Sequence, residues 1–129
     1  MPRRVATGVD PKRLAMIVAV LGRHARVALG TADVFVNVAG GVRIDEPGAD
    51  LAVALAIASA AKGMPTQESL AAFGEIGLTG RLRQAAQADR RLEECAKLGI
   101  KTVITPAQTD TLAKAVKAAL VQSASAQVS

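Results

Sequence analysis

The chain has 129 residues, enough for one domain that buries about two thirds of its unfolded surface. Half of the residues are hydrophobic, nearly all Ala, Val, Leu and Ile, with only Phe35 and Phe73 aromatic, so the core is built from small aliphatic side chains. A formal net charge of +5 permits contact with a polyanion, while a lone cysteine (Cys95) and a lone histidine (His24) exclude an intrachain disulfide and a closed zinc site.

Residues 1–8 are basic and unpatterned; they read as a linker or leader and lack the apolar centre of a signal peptide. Asp10-Pro11 supplies an N-cap and a proline at the first helical position. The spacing of Leu14, Ile17, Val18, Leu21 and Ala25 predicts a helix to about Leu29, stopped by Gly30. Asp33–Val38 alternates as a strand, and Gly40-Gly41 predicts a hairpin turn into Val42-Arg43-Ile44. Pro47–Lys62 is apolar on nearly all sides, which predicts a helix in the centre of the domain, ended by Gly63. Its apolar run is too short to cross a bilayer. Leu70–Ile76 reads as a strand, Gly77–Gly80 as a turn and Leu82 as the returning strand. Ala88–Leu98 predicts an amphipathic helix with Leu92, Cys95 and Ala96 inward, closed by Gly99. Lys101–Thr105 reads as a strand, and Thr109 or Asp110 caps a last helix through Val121. Residues 123–129 form a polar tail expected to fray. These elements predict an α+β domain over residues 9–122, with helices packed on a mixed β-sheet. The single cysteine and the absence of a membrane segment point to the cytoplasm.

Few residues suggest chemistry. Gly48, at the start of the apolar helix, leaves backbone N–H groups free for an anion, but Asp45, Glu46 and Asp50 would repel a phosphate and serve better as helix caps. Gly40-Gly41 is not spaced as a nucleotide loop. No carboxylate is spaced to orient His24 as a base, which leaves it an exposed helix residue, and Cys95 reads as a core thiol. Arg81, Arg83, Arg90 and Arg91 surround a turn and a helix start. They read first as a solvated face paired with Glu93 and Glu94; the other reading is a set of phosphate ligands. With so few aromatics, any nucleic-acid contact would run through the backbone, independent of sequence and sensitive to salt.

Two stretches carry a resemblance. DVFVNVAGGVRIDEPGAD (33–50) and GEIGLTG (74–80) resemble the proteolytic domain of the Lon family across roughly residues 10–122. Lon peptidases place a serine in D-G-P-S-A-G; the matching Asp45–Asp50 stretch has Gly48 there. The family lysine downstream of G-E-[IV]-x-L-x-G falls on Asp89. Without nucleophile or amine base the Lon reaction cannot run, and the alternative is a Lon-type peptidase with an unrecognised nucleophile. Ser59 and Ser69 are the nearest serines, and neither opens a helix. Val9-Asp10 with the following helix, the 33–59 stretch and FGEIGLTGRLR (73–83) narrow the resemblance to the C-terminal Lon-like domain of the bacterial RadA (Sms) family. Its E-P-A-A-D-L-A pattern is matched except at Gly48.

The RadA resemblance implies a cytoplasmic parent that is a DNA-dependent ATPase, processing recombination intermediates by branch migration with the RecA recombinase. It implies a homo-oligomer, a hexameric ring in the whole protein. ATP, Mg and Zn would belong only to absent N-terminal domains, since the phosphate-binding loop, paired cysteines and K-N-R-F-G motif are not in this sequence, and no cofactor is expected here. Arg3–Gly8 looks like the joining segment. For this domain the resemblance implies a non-catalytic oligomerisation scaffold that contacts DNA, with Arg43, Arg81, Arg83, Arg90 and Arg91 as the DNA-binding residues. A purely structural ring-forming domain is the remaining alternative. One departure is Gln84-Ala85-Ala86, where the family often has a proline.

Overall fold

The computed structural model describes residues 1–121, so the expected tail at 123–129 lies outside the described residues. Among the described residues there are four α-helices and six short strands, and the strands form three separate pairs rather than one sheet. Strand β1 (Arg4–Thr7) pairs in parallel with β2 (Val34–Asn37), and β3 (Leu70–Ala72) pairs in parallel with β6 (Thr102–Ile104). Strand β4 (Glu75–Ile76) and β5 (Leu82–Arg83) form a small antiparallel ribbon. The mixture of parallel and antiparallel pairing agrees with a mixed α and β class, though not with a continuous sheet.

Helix α1 (Pro11–His24) starts as its sequence predicts: Asp10 is the N-cap, and its carboxylate accepts from the Lys12 N–H at 2.9 Å. It ends five residues before Leu29. Arg26 takes φ 57°, and the Ala25 and Val27 N–H groups both donate to the Leu21 carbonyl, which closes the helix at His24. Helix α2 (Asp50–Lys62) follows a single 3₁₀ turn at Pro47–Ala49 and is the central element. Leu51, Ala54, Leu55, Ile57 and Ala58 are buried, and α1 and α4 (Leu112–Ala119) pack against it. The alanines let the three helices approach closely, while Leu14, Ile17, Leu21, Leu51 and Leu112 fill the space between them.

Four local expectations are corrected. Residues 4–7 are not an unpatterned leader but strand β1, whose partner lies thirty residues further on. Residues 40–44 do not form a hairpin: Ala39–Gly41 is a 3₁₀ turn, and the Ile44 N–H donates to the Gly8 carbonyl at 2.7 Å. The returning segment is held at the end of β1 and does not pair with β2. Helix α3 (Ala88–Lys97) has no buried residue; Leu92 is 41% exposed, and Cys95 is half-buried rather than a core thiol. The cap of α4 is Thr111, its hydroxyl accepting from the Lys114 N–H, because Thr109 is turned inward and donates to the Thr105 carbonyl at 2.9 Å.

No helix among the described residues is long and apolar enough to cross a membrane.

Candidate functional site

The entrance to α2 is the most closely built part of the molecule. Gly48 sits in the 3₁₀ turn and is buried. Its carbonyl accepts from the Gly74 N–H at 2.9 Å, and the Leu51 N–H donates to the Gly74 carbonyl at 3.1 Å, so the strand break at Phe73-Gly74 is stitched to the helix start. A Cβ at position 48 would stand 2.7 Å from the Cβ of Ala85 and 3.7 Å from a guanidinium nitrogen of Arg91. Ala85 is itself buried, so the segment after β5 covers this position. The place that the Lon resemblance assigns to a serine is thus roofed by protein. Asp89, at the place of the lysine, is exposed in the first turn of α3.

The three carboxylates at this entrance do different work. Asp45 pairs with Arg43 at 2.9 Å, both largely exposed. Glu46 receives the Arg91 guanidinium. Asp50 is not a cap: it is 3% exposed and accepts from Arg13 through both carboxylate oxygens, one at 2.8 Å, and from the Ile76 N–H at 3.2 Å. The fork of Arg13 matches a carboxylate in bidentate fashion and ties α1 to α2, while the Ile76 contact adds β4. The hydrogen bond to Asp50, foremost, and the Asp50 charge raise the Arg13 pKa above its ordinary value. Sequence reasoning missed this pair. The signal was present: Arg13 stands one and two helical turns before Ile17 and Leu21 on the buried stripe of α1, and Asp50 opens an otherwise apolar helix.

The five arginines expected to bind DNA fall in two places. Arg43 and Arg91 line one cleft beside Gly48 and Phe73, and Arg90 and Arg91 line a second, neighbouring cleft with Phe73, Glu94 and Cys95. Arg91 also donates to the Ala86 carbonyl at 2.9 Å and lies 6.0 Å from the centre of the Phe73 ring, so it is tethered on three sides. Arg81 and Arg83 flank buried Leu82 on β5 and line neither cleft. Arg83 pairs with Glu75 at 2.8 Å and Arg81 with Asp110 at 3.5 Å. The expected partners Glu93 and Glu94 take none of these arginines; Glu94 pairs with Lys97 at 3.8 Å. Arg90 has no ion-pair partner among the described residues. His24, the last residue of α1, is exposed and rests against Gly80 of the β4–β5 turn.

A family model described as subunit ChlI of Mg-chelatase matches residues 12–109, and the chain belongs to that family. Among individual relatives, it is similar to the DNA repair protein RadA of Halalkalibacterium halodurans, at 49% identity over 105 residues, 81% of this chain and 23% of that protein. It is 45% identical to the DNA repair protein RadA of Escherichia coli over 106 residues, 82% of this chain and 23% of that protein. The DNA repair protein RadA of Mycobacterium tuberculosis is 42% identical over 109 residues, 84% of this chain and 23% of that protein. The chain therefore spans about a quarter of the length of these curated relatives.

Proposed function

We propose that this chain is the Lon-like domain of a RadA-type DNA repair protein, acting as a non-catalytic oligomerisation scaffold and a sequence-independent DNA-contact surface. The observation that carries the reading is the 42–49% identity to proteins named DNA repair protein RadA across four fifths of the chain. In this reading the parent protein is a cytoplasmic DNA-dependent ATPase that works on recombination intermediates as a ring with the RecA recombinase. ATP, Mg and Zn belong to its other domains. The roofed Gly48 and the acidic Asp89 support a domain that has no peptidase chemistry.

The test is binding of the chain to duplex and single-stranded DNA across a salt series, together with sedimentation at increasing protein concentration. The proposal expects binding that weakens steeply with salt and differs little between unrelated sequences, and self-association at high concentration. No binding at low salt would remove the DNA role, and a strict monomer would remove the scaffold role. A serine-directed active-site probe should leave the chain unlabelled; labelling would favour a peptidase.

A further inference from the structure

Folding assembles a basic face that the sequence does not display. The C-terminal end of α1 is seated on the β4–β5 turn: a Cβ on Gly80 would lie 2.7 Å from the Cβ of His24. The same turn is tied to the start of α4, since the Leu112 N–H donates to the Gly80 carbonyl at 2.8 Å and the Leu82 N–H to the Asp110 carbonyl at 2.9 Å. The end of α1 that carries Arg23 and Arg26 is thus set beside the backbone segments that carry Arg81 and Lys114, and all four residues are exposed. Among the described residues, Arg23 and Arg26 have no carboxylate partner, while Arg81 and Lys114 share Asp110 at 3.5 and 2.9 Å. The contrast with the α2 entrance is one of charge balance. There Arg43 is matched by Asp45 and Arg91 by Glu46, so an incoming phosphate would have to displace a carboxylate.

We infer that this junction of α1, the β4–β5 turn and α4 is the face on which the phosphate backbone of duplex DNA docks, an inference that rests on the DNA-contact reading above. Two of its four cations, Arg23 and Arg26, carry no ion pair and the other two share one carboxylate, and the backbone under Arg26 is held by the paired hydrogen bonds to Leu21, so little ordering is needed on binding. Phe35 and Phe73, the only aromatics, are elsewhere, which suits contact with backbone and not with bases.

The experiment is fluorescence anisotropy of the full chain with a labelled duplex over a salt series. Arg23→Ala with Arg26→Ala should weaken binding about tenfold or more at low salt and lower the log–log salt slope by about two. Arg43→Ala with Arg91→Ala, both already matched by carboxylates, should change affinity less than about twofold. Asp110→Asn should tighten binding, a gain that misfolding cannot produce. The reverse order of the two double variants, or no gain with Asp110→Asn, would overturn the junction as the docking face while the DNA reading stood. No binding by the unaltered chain at low salt would overturn the DNA reading, and this inference with it.

Discussion

Removing Arg13 tests the energetic account of this fold most directly. Arg13→Ala leaves the Asp50 carboxylate 3% exposed with the Ile76 N–H as its remaining protein donor. Breaking a fully buried pair by removing one partner costs about 3–5 kcal/mol. The Arg13 side chain is 32% exposed, so water can enter where the guanidinium was and recover part of that loss. The expected cost is therefore about 2–3 kcal/mol. With a urea slope of about 1–3 kcal/mol/M, the unfolding midpoint should fall by roughly 1–2 M at unchanged slope. Asp50→Ala should cost a similar amount, because it strands the Ile76 N–H and a partly buried guanidinium. The double variant should lose clearly less than the two single losses added together, since each single change already removes the shared contact. Arg43→Ala is the control: its pair with Asp45 is exposed on both sides and should contribute less than about 1 kcal/mol. Midpoints for Arg13→Ala and Asp50→Ala no lower than that of Arg43→Ala would refute the reasoning.

Gly48→Ala puts a methyl 2.7 Å from the Ala85 methyl and should cost about 1–3 kcal/mol, seen as a lower melting temperature; adding Ala85→Gly should recover part of it. Gly80→Ala meets two obstacles, a φ of +85° and the His24 Cβ at 2.7 Å, so it should cost about 1–3 kcal/mol as a lower melting temperature, and His24→Ala, which keeps that Cβ and removes only the ring, should recover little of it. The hydrogen bond from Lys114, followed by its charge, holds the Asp110 carboxyl below its ordinary pKa. A depressed folded-state pKa favours folding above the unfolded-state value, and that contribution disappears as pH falls through the folded value. A carbon-detected NMR titration should give Asp110 a midpoint below that of an ordinary aspartate, near 3.9, and Lys114→Ala should move it up; an unmoved midpoint would assign the shift elsewhere.

The helical half of this fold was legible because its cause is local. The apolar spacing of α1, the all-round apolarity of α2 and the inward Leu112, Val116 and Ala119 of α4 each lie within one continuous stretch, and all three helices form within the expected stretches, shortened at their ends. The strands were less legible because parallel pairing has no local signature. Arg4–Thr7 is a strand only because Val34–Asn37 is beside it, across a helical crossover. The Gly40-Gly41 turn signal is real, since both residues have positive φ, but a turn signal does not name the partner of the strand that follows, and Ile44 bonds to Gly8 beyond β1 instead of to β2. The α3 stripe was read from Leu92, Cys95 and Ala96, whereas the half-buried positions are Ala88, Arg91 and Cys95. Arginine filled the inward position because Glu46, Phe73 and the Ala86 carbonyl are there to receive it.

Legibility of the site divides along the same line. Gly48 could be read as a missing side chain, but its second property needed the fold. Ala85 belongs to the Gln84-Ala85-Ala86 segment that departs from the related pattern, and its methyl fits where it does only because position 48 has none. Position 48 and the loop after β5 are therefore coupled in this fold: the space that a side chain at 48 would need is closed by Ala85, with Arg91 stitched to Glu46 and Ala86 above it. This closure spends Arg91, and Asp45 engages Arg43, in contacts within the chain. Among the described residues Arg23, Arg26 and Arg90 carry no ion pair, and the first two stand at the end of α1 that tertiary contact seats on the β4–β5 turn. A run of arginines in the sequence is thus a weaker guide to an anion surface than the pairing each one makes once folded.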